Sequence, residues 1–166
     1  VSKKLGEDLI MHWSKVYKIK AISLRLFNVY GTRSRTSGTY GAMFGVFLAQ
    51  KLSNKPLTIV GNGHQKRDFV YVDDVAKGFL LAMESNKSVN KIFNIGSGKT
   101  ISIKKIFKII KEKIGKGDYK YYPRDDTELN YVCADISKAK KLISFKPQHT
   151  FESKINEVID QLKSTT

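Results

Sequence analysis

The five arginines of this chain mark the places where an anion could be bound. Lysine is the default cation of the sequence, with 25 residues against five arginines, which are Arg25, Arg33, Arg35, Arg67 and Arg124. A guanidinium group is a planar fork that matches the two oxygens of a carboxylate or phosphate, whereas an ammonium is a point charge. Since the arginines lie in or beside strand-like segments and the loops that follow, we expect some of them to recognise anions.

Two glycine turns resemble phosphate loops, but neither has the residues such a loop needs. The segment 96–100 reads Gly-Ser-Gly-Lys-Thr, yet Phe93 stands where a P-loop requires its first glycine. A dinucleotide-binding Gly-x-Gly-x-x-Gly turn is also absent, because Ile101 replaces the third glycine here and the turn at 61–63 lacks it too. We interpret both segments as turns whose glycines supply unusual dihedral angles, and we place any pyrophosphate site for a nicotinamide cofactor outside this chain.

The histidines and the single cysteine give no sign of a metal site. His12, His64 and His149 are far apart in the sequence, and Cys133 matches no zinc-binding pattern. A lone cysteine cannot form an internal disulfide, which is typical of a reducing compartment, so we expect a cytoplasmic protein. The longest apolar run, at about residues 42–49, is too short for the ~20 residues of a membrane span.

Apolar periodicity predicts a mixed α/β chain that can position these residues. Helices are predicted at 1–18, 41–53, 73–84, 103–114, 137–143 and 151–162, and strands at 21–29, 57–60, 69–72, 92–95 and 119–122. Ser102 is expected to cap the helix at 103–114. For the helix at 73–84, we expect Asp73 or Asp74 to be the cap, and we expect the core face to carry Val75, Phe79 and Met83.

Five blocks of the sequence occur in an order that resembles one enzyme family. They are Ser2-Lys3, Arg-Leu-Phe-Asn-Val-Tyr-Gly at 25–31, the block at 61–75, Asn-Ile-Gly-Ser-Gly at 94–98, and Ala-Asp-Ile-Ser-Lys at 134–138. Their order and spacing are similar to the C-terminal half of the extended short-chain dehydrogenase/reductases that act on nucleotide sugars, the epimerases and dehydratases. The resemblance covers nearly the whole chain.

The resemblance implies a fold and a division of the chain. The fold would be the C-terminal part of an extended Rossmann-type α/β fold together with its smaller substrate-binding domain. Residues 1–31 would be a remnant of the NAD-binding domain, and residues 32–166 mainly the domain that binds the sugar nucleotide, with segments near 69–95 returning to the Rossmann sheet. The N-terminal dinucleotide-binding half would be missing, so the chain alone is expected to be inactive and to aggregate or need a partner.

The resemblance also implies an NAD-dependent reaction on a UDP- or dTDP-sugar. The first choice is UDP-sugar 4-epimerisation by transient hydride transfer at sugar C4, and dTDP-glucose 4,6-dehydration and UDP-glucuronate decarboxylation are the alternatives. Lys3 matches the lysine of a Tyr-x-x-x-Lys pair, which holds the nicotinamide ribose and lowers the pKa of the tyrosine, whose place is two positions before Val1. Phe27 would lie near the nicotinamide. The complete enzyme would be a homodimer.

On the substrate side, the resemblance assigns a further set of residues. Asn28 would bind the phosphate or sugar, Arg67 the diphosphate, and Met43, Phe44 and Val60 the base. Arg124 would be a second phosphate ligand, although it stands one residue before the family position. Val60 replaces an aromatic residue that several members of the family carry.

Two alternatives of other classes stay open. The formal charge of +15 and the isoelectric point near 9.8 are typical of a nucleic-acid-binding module. The lysines, however, lie mostly opposite the apolar positions of helices, where a solvated face explains them. A non-catalytic protein that binds a sugar nucleotide is the second alternative.

Overall fold

The protein is an α/β structure, and its computed structural model describes residues 2–33, 46, 50, 53, 55–114, 119–123 and 129–164. The helices are α1 (Ser2–Val16), α2 (Val72–Glu84), α3 (Ile103–Ile114), α4 (Ser137–Ile143) and α5 (Phe151–Ser164). The strands are β1 (Ile22–Leu26), β2 (Asn28–Tyr30), β3 (Leu57–Val60), β4 (Lys66–Arg67), β5 (Phe69–Tyr71), β6 (Lys91–Ile95), β7 (Ile101–Ser102), β8 (Tyr119–Tyr122) and β9 (Tyr131–Val132).

The strands form small sheets that are mostly parallel. Strand β1 pairs with β6, β2 with β5, and β3 with β8, all in parallel. Strand β4 lies between β7, which is antiparallel to it, and β9, which is parallel. Parallel strands cannot be joined by a tight hairpin turn. The helix α2 connects β5 to β6, which belong to two different parallel pairs.

Strand β5 separates two hydrophobic cores. Phe69 and Tyr71 belong to a core shared with β3, α3 and α5, while Val70 points to a second core shared with β6, α2 and α4. Side chains alternate between the two faces of a strand, which is why three consecutive residues can all be buried. In the first core, the ring of Tyr30 packs against Phe151 with ring centroids 5.0 Å apart.

Most predicted elements are observed, but the strand predicted at 21–29 is interrupted. It divides at Phe27 into β1 and β2, because each half pairs with a different strand. Gly31 follows β2 directly and lies against Val72, where an added Cβ would come within 2.4 Å of the Val72 Cγ1. The close approach of the backbone to α2 at this point requires a glycine. The predicted cap of α3 is confirmed, since Ser102 Oγ accepts the Lys105 amide at 3.2 Å.

The predictions for α2 are wrong in two respects. The helix begins at Val72, and its N-cap residue Tyr71 makes no side-chain capping bond. Its buried face carries Val75, as predicted, together with the small residues Gly78 and Ala82. The other two apolar side chains predicted to lie inside are exposed, Phe79 by 45% and Met83 by 75%. The physical reason is space: a Cβ at Gly78 would already lie 3.2 Å from Ile95, so β6 packs against the small residues of the helix.

The helix α1 also exposes large apolar side chains. The exposed fractions of Leu5, Leu9, Trp13 and Val16 all lie between 52% and 63%. Within the described residues, no helix is long and apolar enough to cross a membrane. The predicted domain boundaries and the helix predicted at 41–53, which falls almost entirely outside the described residues, stay predictions.

Candidate active site

A forked ion pair fixes α1 to β1. Arg25 donates from Nε to Glu7 Oε2 at 2.8 Å and from Nη2 to Glu7 Oε1 at 2.6 Å, and Ser23 Oγ donates to the same carboxylate at 3.1 Å. The hydrogen bond from Arg25 is the largest cause that lowers the pKa of Glu7 to about 2. Arg25 was expected to recognise an anion, and in this structure that anion is Glu7.

The direction of α1 is set by contacts at its two ends. Near its C-terminus, Ser14 donates from Oγ to the Ile19 carbonyl at 2.8 Å and contacts the side chain of Asn90, which precedes β6. Glu7 contacts residues further along β1, so α1 runs antiparallel to β1. Lys3 is one helical turn, about 6 Å, beyond Glu7. The exposed Lys3 therefore lies toward the carboxyl end of β1.

We predict that Glu7 stabilises the fold in a pH-dependent way. Its pKa is about 2 in the folded state against 4.5 for an unperturbed group, so its contribution is complete above about pH 4.5 and is lost as the pH falls toward 2. Replacing Glu7 by Gln should lower the free energy of unfolding by about 1–2 kcal/mol at pH 7, and the difference should shrink by pH 2. Urea denaturation across this pH range measures it. Asp8→Asn, on the exposed side of α1, is the matched control, and an equal loss in both variants would contradict the prediction.

Phe27 and Asn28 occupy the junction where the chain passes from one strand pair to the next. The Phe27 amide donates to the Ile95 carbonyl at the end of β6 at 3.0 Å, and the Asn28 amide donates to the Asp68 carbonyl at 3.2 Å. Phe27 is half-buried and Asn28 exposed. Both therefore lie at the carboxyl ends of β1 and β6, which is where ligands bind in open α/β sheets.

The buried carboxylate of Asp68 holds the glycine turn that follows β6. Its Oδ1 accepts the Ser97 amide and hydroxyl, both at 2.7 Å, and its Oδ2 accepts the Gly98 amide at 2.9 Å and the Ala134 amide at 3.1 Å. Asp68 is fully buried. Asp68 thus fixes the conformation of the turn at 96–98. Sequence reasoning did not single out Asp68, although an acidic residue between two strands of a core is a signal of a buried polar network.

Arg67 immediately precedes Asp68 and is the last residue of β4, the central strand of the three-stranded sheet. It stands opposite Ile101 of β7 and Val132 of β9 and is half-buried, and its Nη1 donates to the Lys66 carbonyl at 3.0 Å. Val60 ends β3 with 42% of its surface exposed. Its carbonyl accepts the side-chain amide of the buried Gln65 at 2.7 Å, which closes the turn between β3 and β4.

Comparison with known proteins identifies the family. A model of the NAD dependent epimerase/dehydratase family matches residues 1–96. The chain belongs to this family. A putative UDP-glucose 4-epimerase of Methanocaldococcus jannaschii is 38% identical over 165 residues, 99% of this chain and 52% of the relative. A UDP-glucuronate 4-epimerase of Thermodesulfobacterium geofontis is 32% identical over 166 residues, 98% of this chain and 49% of the relative. The chain thus spans about half the length of these curated relatives.

Solved structures of epimerases have the same fold. A UDP-glucose 4-epimerase of Thermotoga maritima, solved with UDP-glucose, matches 96% of this chain and 51% of its own with a TM-score of 0.88 at 30% identity. A UDP-glucuronic acid 4-epimerase of Bacillus cereus, solved with UDP-glucuronic acid and NAD, matches 97% and 51% with a TM-score of 0.87 at 32% identity. The predicted resemblance and the α/β fold class, as part of an extended short-chain dehydrogenase fold, are confirmed.

Within this epimerase/dehydratase fold, the described part of the predicted site is only partly assembled. The structure brings Phe27 and Asn28 to the carboxyl ends of β1 and β6, with Lys3 directed toward the same end. Arg67 is connected to Asn28 through the backbone, because the carbonyl of the next residue, Asp68, accepts a hydrogen bond from the Asn28 amide. Three further predicted residues, Met43, Phe44 and Arg124, lie outside the described residues. Among the described residues, no three His, Cys, Asp or Glu side chains are grouped so that they could hold a metal ion.

Proposed function

We propose that the complete polypeptide carrying this chain is an NAD-dependent nucleotide-sugar epimerase, with UDP-sugar 4-epimerisation as its reaction. The proposal is supported by the position of Phe27 and Asn28 at the carboxyl ends of β1 and β6, and by the direction of α1, which leads toward the same end. The names of the relatives, which include UDP-glucose and UDP-glucuronate 4-epimerases, support the reaction and the UDP-sugar class. We infer that the enzyme is a cytoplasmic homodimer.

The residues at this edge fit a nicotinamide cofactor. Lys3 offers an exposed ammonium that can donate hydrogen bonds to the hydroxyls of a ribose, and half-buried Phe27 offers an apolar surface for a planar ring. When bound, NAD supplies a hydride acceptor for the sugar carbon and later a hydride donor. The charge of Lys3 also lowers the pKa of a tyrosine one helical turn before it, so that the tyrosinate can remove the hydroxyl proton from sugar C4.

Other residues are proposed to bind the nucleotide sugar. Asn28 would donate or accept hydrogen bonds at the sugar or phosphate, and Arg67 would hold the diphosphate with its planar fork. Val60, Met43 and Phe44 are proposed to contact the base, and Arg124 to be a second phosphate ligand. Asp68 and Gln65 are positioning residues in this scheme, because each fixes the backbone next to a proposed ligand of the substrate.

A binding experiment with the longest natural polypeptide that contains this chain tests the proposal. Titration calorimetry with UDP should give a dissociation constant that rises about 10- to 100-fold in Arg67→Gln, because charge-assisted hydrogen bonds to the phosphates are lost. Lys66→Gln, on the same strand but exposed, is the matched control and should change the constant by less than about 3-fold.

Turnover provides the second arm of the test. The same polypeptide with NAD should interconvert UDP-glucose and UDP-galactose, or UDP-glucuronate and UDP-galacturonate, as followed by anion-exchange chromatography. If neither pair is interconverted and Arg67→Gln binds UDP as tightly as the unmodified protein, the proposed function is wrong. Binding without turnover would instead favour the non-catalytic sugar-nucleotide binder.

A further inference from the structure

A basic cavity is lined by residues that the proposed nucleotide-sugar site does not use, although two of them, Phe69 and Ile101, are the strand partners of Asn28 and Arg67. Its volume is about 660 Å³, and four lysines line it: Lys99, Lys105, Lys140 and Lys146. They come from four different segments, namely the turn between β6 and β7, the first part of α3, the end of α4 and the loop between α4 and α5. The described residues of the proposed nucleotide-sugar site, which include Arg67 and Asn28, do not line this cavity.

The cavity has an excess of positive charge. Lys105 forms an ion pair with Glu152, which also lines the cavity. The lysine ion pairs in the described part of the chain all involve other lysines. No described carboxylate therefore lies at ion-pair distance from Lys99, Lys140 or Lys146. Cations gathered around one concave surface repel each other and raise the local concentration of anions. An anion with several charges would relieve that repulsion.

Two buried carboxylates hold the walls of this cavity in place. Asp68 binds the Ser97 amide and hydroxyl on one side. On the other, Asp74 of α2 accepts the Gln148 amide at 2.9 Å and the His149 amide at 3.1 Å, and its Oδ1 lies 3.0 Å from the His149 Nδ1. The negative charges of both carboxylates are directed to backbone donors of the walls. Walls fixed in this way need little reorganisation when a ligand binds.

Apolar side chains complete the lining. Phe69, Ile101, Pro147 and Phe151 face the same cavity as the lysines. Phosphate groups alone would fill only a small part of about 660 Å³, and pockets of a few hundred Å³ with an apolar lining and a few charged groups are typical of small-molecule sites. The chemistry of the lining therefore fits a molecule that has phosphates at one end and a ring or hydrocarbon part at the other.

We propose that this cavity binds a phosphorylated small molecule that carries at least two phosphate groups. The lysines contact the phosphates, and the apolar wall contacts the remainder of the ligand. The residues of this site differ from those assigned to NAD and to the nucleotide sugar, so the proposal does not rest on the proposed epimerase reaction.

Calorimetric titrations of the longest natural polypeptide with inorganic pyrophosphate and with fructose 1,6-bisphosphate test this site. The expected result is binding of both probes at 50 mM NaCl, at least 10-fold weaker in Lys99→Gln/Lys140→Gln and weaker again at 200 mM NaCl. If fructose 1,6-bisphosphate binds more tightly than pyrophosphate, the apolar wall contributes to binding. If the two probes bind equally, the phosphates alone are recognised. Both outcomes support the site. The amide NMR signals of residues 97–101 and 148–152 should shift with either probe.

A matched variant makes the test specific. Lys111→Gln/Lys113→Gln removes the same charge from the exposed side of α3 and should leave the affinity for pyrophosphate within about 2-fold of the unmodified protein. Because the four substituted lysines are exposed, these variants should fold. Equal weakening in the Lys111/Lys113 variant would mean non-specific attraction to a basic surface and would overturn the proposal. Absence of binding at 10 mM of either probe would overturn it as well.

Discussion

Replacing Asp68 by Asn should lower the free energy of unfolding by about 3 kcal/mol or more, a loss that is large for an isosteric change. The carboxylate is fully buried and accepts four hydrogen bonds from N–H and O–H groups, two at each oxygen, from Ser97, Gly98 and Ala134. An amide group has only one oxygen. Whichever way it is turned, its NH2 group faces two donors that then have no acceptor.

The surroundings of Asp68 leave little room to relax. A Cβ added to Gly96 would come within 2.4 Å of the Ala134 Cβ and 3.0 Å of Asp68 Oδ2, so the turn at 96–98 lies directly against both residues. The unpaired donors cannot move toward water without separating β6 from the segment after β9. The backbone of Asp68 also binds Asn28 and Val132, so the damage should extend to the proposed substrate-binding edge.

Urea denaturation at pH 7 compares Asp68→Asn with Asp73→Asn, a change of the same type at an exposed position on α2. The control should stay within about 0.5 kcal/mol of the unmodified protein. A loss in Asp68→Asn no greater than in the control would contradict the central role of this carboxylate. If Asp68→Asn fails to fold, Ser97→Ala still allows the measurement, since it removes only one of the four donors and should cost about 1 kcal/mol.

Elements that follow from local patterns were predictable. The bounds of β3 and α4 agree with the prediction, and Ile103, Ile106 and Ile110 of α3 are buried as their helical spacing indicates. In these segments the apolar period and the turn or cap signals agree with each other.

Elements that depend on distant partners were not predictable. Strands β4, β7 and β9 have two residues each, too few for a periodic signal, and they exist because segments far apart in sequence pair with each other. The buried role of Asp74 has the same origin. Its partners Gln148 and His149 are more than seventy residues away in the sequence. Asp74, whose position suggests a helix cap, therefore binds the backbone of the loop between α4 and α5 instead.

The residues of the candidate site were predictable from the sequence, but the residues that position them were not. The motif around Asn28 and Arg67 identified the family because both residues stand in long, specific blocks of sequence. The residues that position them could not be ranked from sequence, because Glu7, Gln65 and Asp68 act through contacts with other elements. Arg25 shows the limit clearly: its expected anion is a side chain on α1.

Replacing Lys3 by Met should reduce the kcat of the complete enzyme at neutral pH by about 100-fold or more, if the proposed function holds. Methionine keeps much of the length of the side chain but has no charge. Without the ammonium, the pKa of the partner tyrosine rises, and a smaller fraction of the tyrosinate is present near pH 7. The ribose of NAD also loses a hydrogen-bond donor, so the affinity for NAD should fall.

The pH profile separates this role from a structural one. In Lys3→Met, activity should recover partly at alkaline pH, because the tyrosine with the raised pKa is deprotonated there. A defect in folding would lower activity equally across the profile. Lys4→Met is the matched control: Lys4 is adjacent, equally part of the first turn of α1, and pairs with the exposed Asp8 and with Glu7.

Lys4→Met should keep the kcat within about 3-fold of the unmodified enzyme and leave its pH optimum unchanged. The contacts between Glu7 and Arg25 hold α1 against β1 in both variants. Lys4 leaves the helix toward Asp8 and Glu7, whereas Lys3 forms no ion pair with a described carboxylate. Equal losses in both variants, with unchanged pH profiles, would mean that the first turn of α1 acts through its structure and that Lys3 does not contact the reacting groups. A loss confined to Lys3→Met, with an alkaline shift, would place its ammonium beside the tyrosine and the cofactor.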